Sequence, residues 1–135
     1  MDAMTSFEGD TGPYLQYAHA RLCSITRKVR EAGLTDDDVA TADLTLLTEP
    51  HATALLRTVA QYGDVLGNCL KTQEPTTIVH YLFRLTHMLS SSYDHLQILH
   101  REKELQKARM ALYDATRVVL HNGMRLLGLS PVERM

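Results

Sequence analysis

Tryptophan is absent from this 135-residue chain, cysteine occurs twice, proline four times, and aromatic residues make up 6%. No apolar run approaches the ~20 residues that a membrane-spanning helix needs. Cys23 and Cys69 make neither a CxxC pair nor a zinc-ligand spacing. They are expected to be buried, reduced thiols of an intracellular protein. The opening MDAMTSFEGD lacks the basic and apolar regions of a secretory signal and is acidic, unlike a mitochondrial presequence. Catalytic signatures are missing too: there is no GxSxG, no Walker loop and no GxGxxG. The glycines of EGDTGP do not follow a phosphate-loop spacing, and the run Asp36-Asp37-Asp38 has an ordinary explanation as a helix start.

Seven histidines raise the question of a metal. His80 and His87 share a helix face, but two turns hold them about 10 Å apart, too far for one ion. No HxxxH or HExxH occurs, and His95 and His100 flank an expected helix end. The expectation is therefore no metal, no cofactor and no catalytic residue in this chain.

The net charge of −2 excludes a basic nucleic-acid wrapper, yet the charges are segregated. Residues 14–31 sum to +3 and residues 101–135 to +3, whereas residues 32–100 sum to −5 and residues 1–13 to −3. A fold that joins the two basic segments would make one positive face on a nearly neutral protein. Such a face gives modest phosphate affinity and leaves discrimination to base contacts.

The hydrophobic pattern is helical throughout. Leu15, Ala18, Leu22, Ile25 and Val29 repeat at 3-4 spacing in a helix expected from Pro13 to Ala32, with Gly33 as its C-cap. Residues 34–49 predict a loop with one short helix capped by Thr35. A second long pattern runs from Pro50 to about Lys71, with Gly63 and Gly67 marking a break or a close helix contact. A third runs from Pro75 to about Leu96. A fourth runs from about Lys103 to Leu127 and is stopped by Gly128 and Pro131. No segment alternates like a strand. The fold class expected is all-α: a bundle of four long helices plus short helical segments.

One surface feature stands out. Tyr14, Tyr17 and Arg21 fall on one stripe of the first helix, three and four residues apart. Two aromatic rings and a guanidinium in a row suit unpaired bases, whose stacking is worth about 1–3 kcal/mol each. A tyrosine taken singly more often packs against a bundle; the arginine and the polarised charge add support for RNA, but on the residues alone the packing reading still outweighs it. Tyr93 follows three serines near a helix end, an exposed setting for a ring. The alternative is a helical protein-interaction module with no RNA role, which would show a broad exposed apolar stripe.

The same residues carry a family resemblance. GDTGPYLQYAHAR resembles the junction of arginyl-tRNA synthetases where the catalytic domain passes into the helical C-terminal domain. ARMALYDATRVVLHNGMRLLGLSPVERM resembles that family's closing helix and tail, in eukaryotic style. Asp114-Ala115-Thr116-Arg117 stands where the domain class has its DALR tetrapeptide, with Thr116 in place of Leu. The resemblance implies an all-α anticodon-binding domain over residues 13–135, preceded at 1–12 by a junction segment from a missing catalytic domain. It implies RNA contacts from Tyr14, Tyr17, Arg21, Arg27, Tyr93 and Met135, with the tail folded back beside the first helix on the face of Tyr14, Tyr17 and Arg21, so that Met135 lies near the same surface. The parent would be a class I enzyme that attaches arginine to tRNA using ATP. Its HIGH-like and KMSK-like signatures are absent here, so the chain is expected to be inert alone. The partners implied are arginine-accepting tRNA and the catalytic domain, without DNA or membrane, in a cytoplasmic monomer.

Overall fold

The computed structural model describes residues 12–135. The expected junction segment at 1–12 therefore lies outside the described residues, apart from Gly12. The elements are α1 (Gly12–Glu31), α2 (Asp36–Ala40), a 3-10 turn (Leu44–Leu46), α3 (Pro50–Ala60), α4 (Tyr62–Thr72), α5 (Thr76–Ser92) and α6 (Lys103–Leu126). No strand occurs among the described residues.

The last helix organises the bundle. α6 packs on α1, α2, α3, α5 and the 3-10 turn, while α5 packs on α1, α3 and α4. The core is formed by Leu15, Leu22 and Val29 of α1, Leu55 of α3, Ile78, Leu82, Leu85 and Leu89 of α5, and Leu112 and Leu120 of α6. Ala18 and Ile25, also on the expected stripe of α1, are partly buried against this core.

Local chemistry sets the helix ends. α1 and α6 stop in the same way. The amide of Gly33 donates to Arg30 O and that of Leu34 to Val29 O; Gly128 donates to Arg125 O and Leu129 to Met124 O. This paired bonding needs a left-handed residue, and the two glycines supply it at φ +106° and +82°. Thr35 caps α2: its hydroxyl accepts from Asp38 N–H, and the Asp38 carboxylate accepts from Thr35 N–H.

One long pattern breaks near where its glycines mark a break, and another ends earlier than expected. The second long pattern is two helices, with the break at Gln61, just ahead of Gly63. No residue of α4 is fully buried; Tyr62, Val65, Leu66 and Cys69 pack against the core only in part. The third long pattern, which forms α5, ends at Ser92 rather than Leu96. There the hydroxyls of Ser91 and Ser92 bond back to the carbonyls of His87 and Leu89, competing with continued helix, and the amides of His95 and Leu96 fold onto Ser92 O. Leu96 is still buried, in a turn. The cysteines are free, but each is half-buried rather than buried: Cys23 sits on a flank of α1 and Cys69 on the lightly packed α4.

One buried hydroxyl ties two helices together. Tyr81 of α5 donates its hydroxyl to Thr58 O of α3 at 2.6 Å, and burial pushes its phenol up to about 12, so it remains a donor at neutral pH. Tyr81→Phe is expected to lower stability by about 1 kcal/mol with the fold intact, the usual net worth of such a bond. Urea denaturation with unchanged slope checks this; no shift in midpoint would show that the bond contributes nothing.

Candidate nucleic-acid interface

At about 100° per residue, Tyr14, Tyr17 and Arg21 project from α1 within an arc of about 60°. Leu15 and Leu22 turn the other side of the helix inward, which leaves the stripe at the surface. Tyr17 is 68% exposed and Tyr14 37%. The Tyr14 ring meets Phe83 of α5 with centroids 5.7 Å apart and tilted, so one side of it rests on the bundle edge. Arg21 reaches across to Tyr93, placing its guanidinium carbon 3.8 Å from the ring centroid. This is a cation–π contact.

Tyr93 is not the freely exposed ring that its serine-rich setting predicts. It is half-buried, tilted against Tyr113 with centroids 5.8 Å apart. Its hydroxyl oxygen is buried and has no hydrogen-bond partner among the described residues. Burial pushes its phenol far above the ordinary tyrosine value. The physical reason lies just downstream, where Leu96 and Ile98 enter the core and pull the turn inward. α6 then holds the turn by its backbone: Tyr113 donates its hydroxyl to Leu96 O at 3.1 Å, and Arg109 donates to Gln97 O at 2.7 Å. A cleft of about 360 Å³ lies between α1 and this turn, with Arg21, Lys28, Tyr93, Gln97 and His100 on its walls.

The tail does fold back along α1. Gln16 clasps it twice, donating Nε2–H to Ser130 O at 2.8 Å and accepting Val132 N–H at Oε1 at 2.9 Å. His19 Nδ1 lies 2.8 Å from Val132 O. Arg27 donates to Glu133 O at 3.3 Å. Gln16 is rotated about 100° from Tyr17, and Arg27 about 120° from Arg21, so the tail runs on a neighbouring flank of α1. It progresses from Gln16 towards Arg27, away from Tyr14. Met135 at its end is 69% exposed. The structure thus gathers Tyr14, Tyr17, Arg21 and Tyr93 on one flank and puts Arg27 with the tail on the next. The tail does not share the tyrosine face as expected, because Gln16 and His19, whose side chains bond its backbone, point away from that face of α1. Gln16 and His19, which anchor the tail, carry no signal in the sequence, because their partners are backbone carbonyls and an amide more than a hundred residues away.

The Asp114-Ala115-Thr116-Arg117 tetrapeptide is structural. Arg117 pairs with Asp114 at 2.8 Å, one turn apart. Thr116 is fully buried and donates its hydroxyl to Leu112 O at 2.8 Å, which satisfies the polar atom that replaces a leucine methyl.

The structure is thus an α-helical bundle domain with an aromatic and cationic stripe on α1 and a folded-back tail. A family model described as DALR anticodon binding domain matches residues 15–135, and the chain belongs to that family. It is 58% identical to the cytoplasmic arginine–tRNA ligase of Saccharomyces cerevisiae across 99% of this chain and 22% of that protein. It is 49% identical to the mitochondrial arginine–tRNA ligase of the same yeast across 98% of this chain and 20% of that protein. The fold superposes on Thermus thermophilus arginyl-tRNA synthetase with a TM-score of 0.81 at 29% identity, covering 96% of this chain and 22% of that one. The chain therefore spans about a fifth of the length of the relatives it matches. These likenesses do not favour the protein-interaction alternative.

The tail contact has a pH signature. A carbonyl can only accept, so Nδ1 of His19 carries the proton and Nε2, buried without a partner among the described residues, carries a lone pair in the neutral ring. Burial lowers the pKa of His19 below its ordinary 6.5, helped by His121 and Arg117 and opposed by the Val132 contact and Glu133. The unfolded chain therefore takes up this proton at a higher pH than the folded one. The stability supplied by neutral His19 is complete above about 6.5 and is lost as pH falls through the folded value. The stability advantage of wild type over His19→Leu should shrink between pH 7.5 and pH 5, as measured by denaturant titration; a gap that does not change with pH would contradict this.

Proposed function

We propose that this chain recognises the anticodon loop of arginine-accepting tRNA, as the C-terminal domain of an ATP-dependent arginine–tRNA ligase. The observation that carries the reading is the Tyr14–Tyr17–Arg21 flank, with Arg21 braced on Tyr93. Unstacked loop bases expose their faces and edges to such groups. Tyr17 offers the most open ring and is the principal stacking platform. Tyr14 offers a partly covered ring beside it. Arg21, backed by Tyr93, presents a planar cation whose side-chain freedom is already restricted, so less entropy is lost when a base or phosphate meets it. Tyr93 then acts by holding Arg21 and walling the cleft. Arg27, on the tail flank, neutralises backbone phosphate, and Met135 adds an apolar contact at the end of the tail.

Arginine activation and its ATP belong to the catalytic domain of the parent. This chain supplies the recognition surface alone and acts as a monomer joined to that domain. The cytoplasm is the compartment proposed, and the likeness to a mitochondrial ligase is compatible with service there as well.

Two substitutions separate stacking from charge. Tyr17→Ala should weaken binding to an arginine anticodon stem-loop by about 1–3 kcal/mol, roughly 5- to 150-fold, with little change in salt dependence. Arg27→Ala should weaken binding to all loops alike and reduce the salt slope by about one unit. Fluorescence titration at two salt concentrations, with circular dichroism to verify folding, reads both. Unchanged affinity in Tyr17→Ala would remove that ring from the interface.

A further inference from the structure

Far from the α1 flank in sequence, three metal-ligating side chains meet. Glu49, His51 and His95 bring a carboxylate oxygen and two ring nitrogens within 4.8 Å of one another. The two imidazoles lie face to face with centroids 3.8 Å apart and planes 9° from parallel. Glu49 and His51 flank Pro50 at the start of α3, whereas His95 lies in the turn after α5, two residues beyond Tyr93. The two histidines are 44 positions apart in the chain and meet only through the packing of α3 against the turn after α5.

We propose that Glu49, His51 and His95 form a binding site for a first-row divalent cation of the zinc type, which ties the turn carrying Tyr93 to the start of α3. The donor set is two imidazoles and one carboxylate, with a further position left to water. That set suits Zn²⁺, Co²⁺ or Ni²⁺, whereas Mg²⁺ and Ca²⁺ prefer all-oxygen shells. The backbone on both sides is already fixed. Ala52, next to His51, is fully buried, and Leu96, next to His95, is buried and bonded through its amide to Ser92 O at 2.8 Å. The Glu49 carboxylate stands at the N-cap of α3 but makes no capping hydrogen bond, which leaves it available to a cation. Glu49 and His95 are exposed and His51 is half-buried, so an ion reaches them directly from solvent. Convergence on one ion requires the imidazoles to turn out of parallel until nitrogens about 2.0–2.1 Å from the metal point at it. Side-chain torsions are the degrees of freedom through which this turning would take place. The consequence is mechanical. The turn from Tyr93 to Leu99 is held to α6 through Leu96 O and Gln97 O, and a cation at His95 would add a second anchor on α3, closer to Tyr93 itself.

The test is calorimetric titration of the chain with zinc chloride, with Co²⁺ as a spectroscopic reporter of coordination. Wild type should take up one Zn²⁺ equivalent, and His51→Ala and His95→Ala should each weaken it by about tenfold or more, abolishing the imidazole-dependent Co²⁺ absorption. His80→Ala, at an exposed histidine of α5, should bind as wild type does. Zinc should raise the Tm of wild type and of His80→Ala but not of the other two variants. No saturable uptake, or equal losses from all three substitutions, would overturn the proposal in favour of scattered surface histidines.

Discussion

The hydrogen bonds from Tyr113 to Leu96 O and from Arg109 to Gln97 O attach the turn after α5 to the central helix, and the Arg21–Tyr93 contact beside the exposed rings of α1 is built on that attachment. A turn that enters a core must satisfy its carbonyls. α6 satisfies these two with side chains one turn apart, Tyr113 and Arg109. With the turn in place, Tyr93 has a defined position beside α1, and Arg21 has a ring to lie on. The sequence of dependence therefore runs from α6 to the turn, from the turn to Tyr93, and from Tyr93 to the guanidinium on α1.

α1 serves two purposes on adjoining flanks. One carries the open ring of Tyr17, the half-covered ring of Tyr14 and the braced Arg21. The other binds the tail through Gln16, His19 and Arg27. This division separates the two kinds of contact that RNA recognition combines. In the proposed complex the aromatic faces would stack on unpaired bases, Arg21 would read base edges, and charge at the tail flank would add attraction with little sequence preference. The modest overall charge agrees with that division, since the positive segments are local and the middle of the chain is acidic.

Much of this was legible in the sequence for definite physical reasons. The 3-4 repeat of Leu15, Leu22 and Val29 describes a helix face that is in fact buried. Gly33 and Gly128 mark positions where a left-handed residue is needed, and both stand there. The stripe of Tyr14, Tyr17 and Arg21 follows from helical geometry alone. What escaped was set by tertiary contacts. Tyr93 looks exposed because its neighbours are serines, yet Leu96 and Ile98 draw it inward. The side of α1 that meets the tail depends on Gln16 and His19 finding backbone partners at 130 and 132, and nothing in local periodicity encodes that. The meeting of His51 with His95 likewise exists only once α3 and the turn after α5 are packed.

The central claim is that exposed rings and a braced arginine read an arginine anticodon. The most direct measurement is a titration of this chain against two stem-loops with the same stem, one with an arginine anticodon and one with a non-cognate triplet, at low and moderate salt. Base readout predicts a preference of about tenfold or more for the cognate loop that persists as salt rises, while both absolute affinities fall modestly. Equal affinities for the two loops, declining steeply together with salt, would show phosphate attraction alone and would contradict the account.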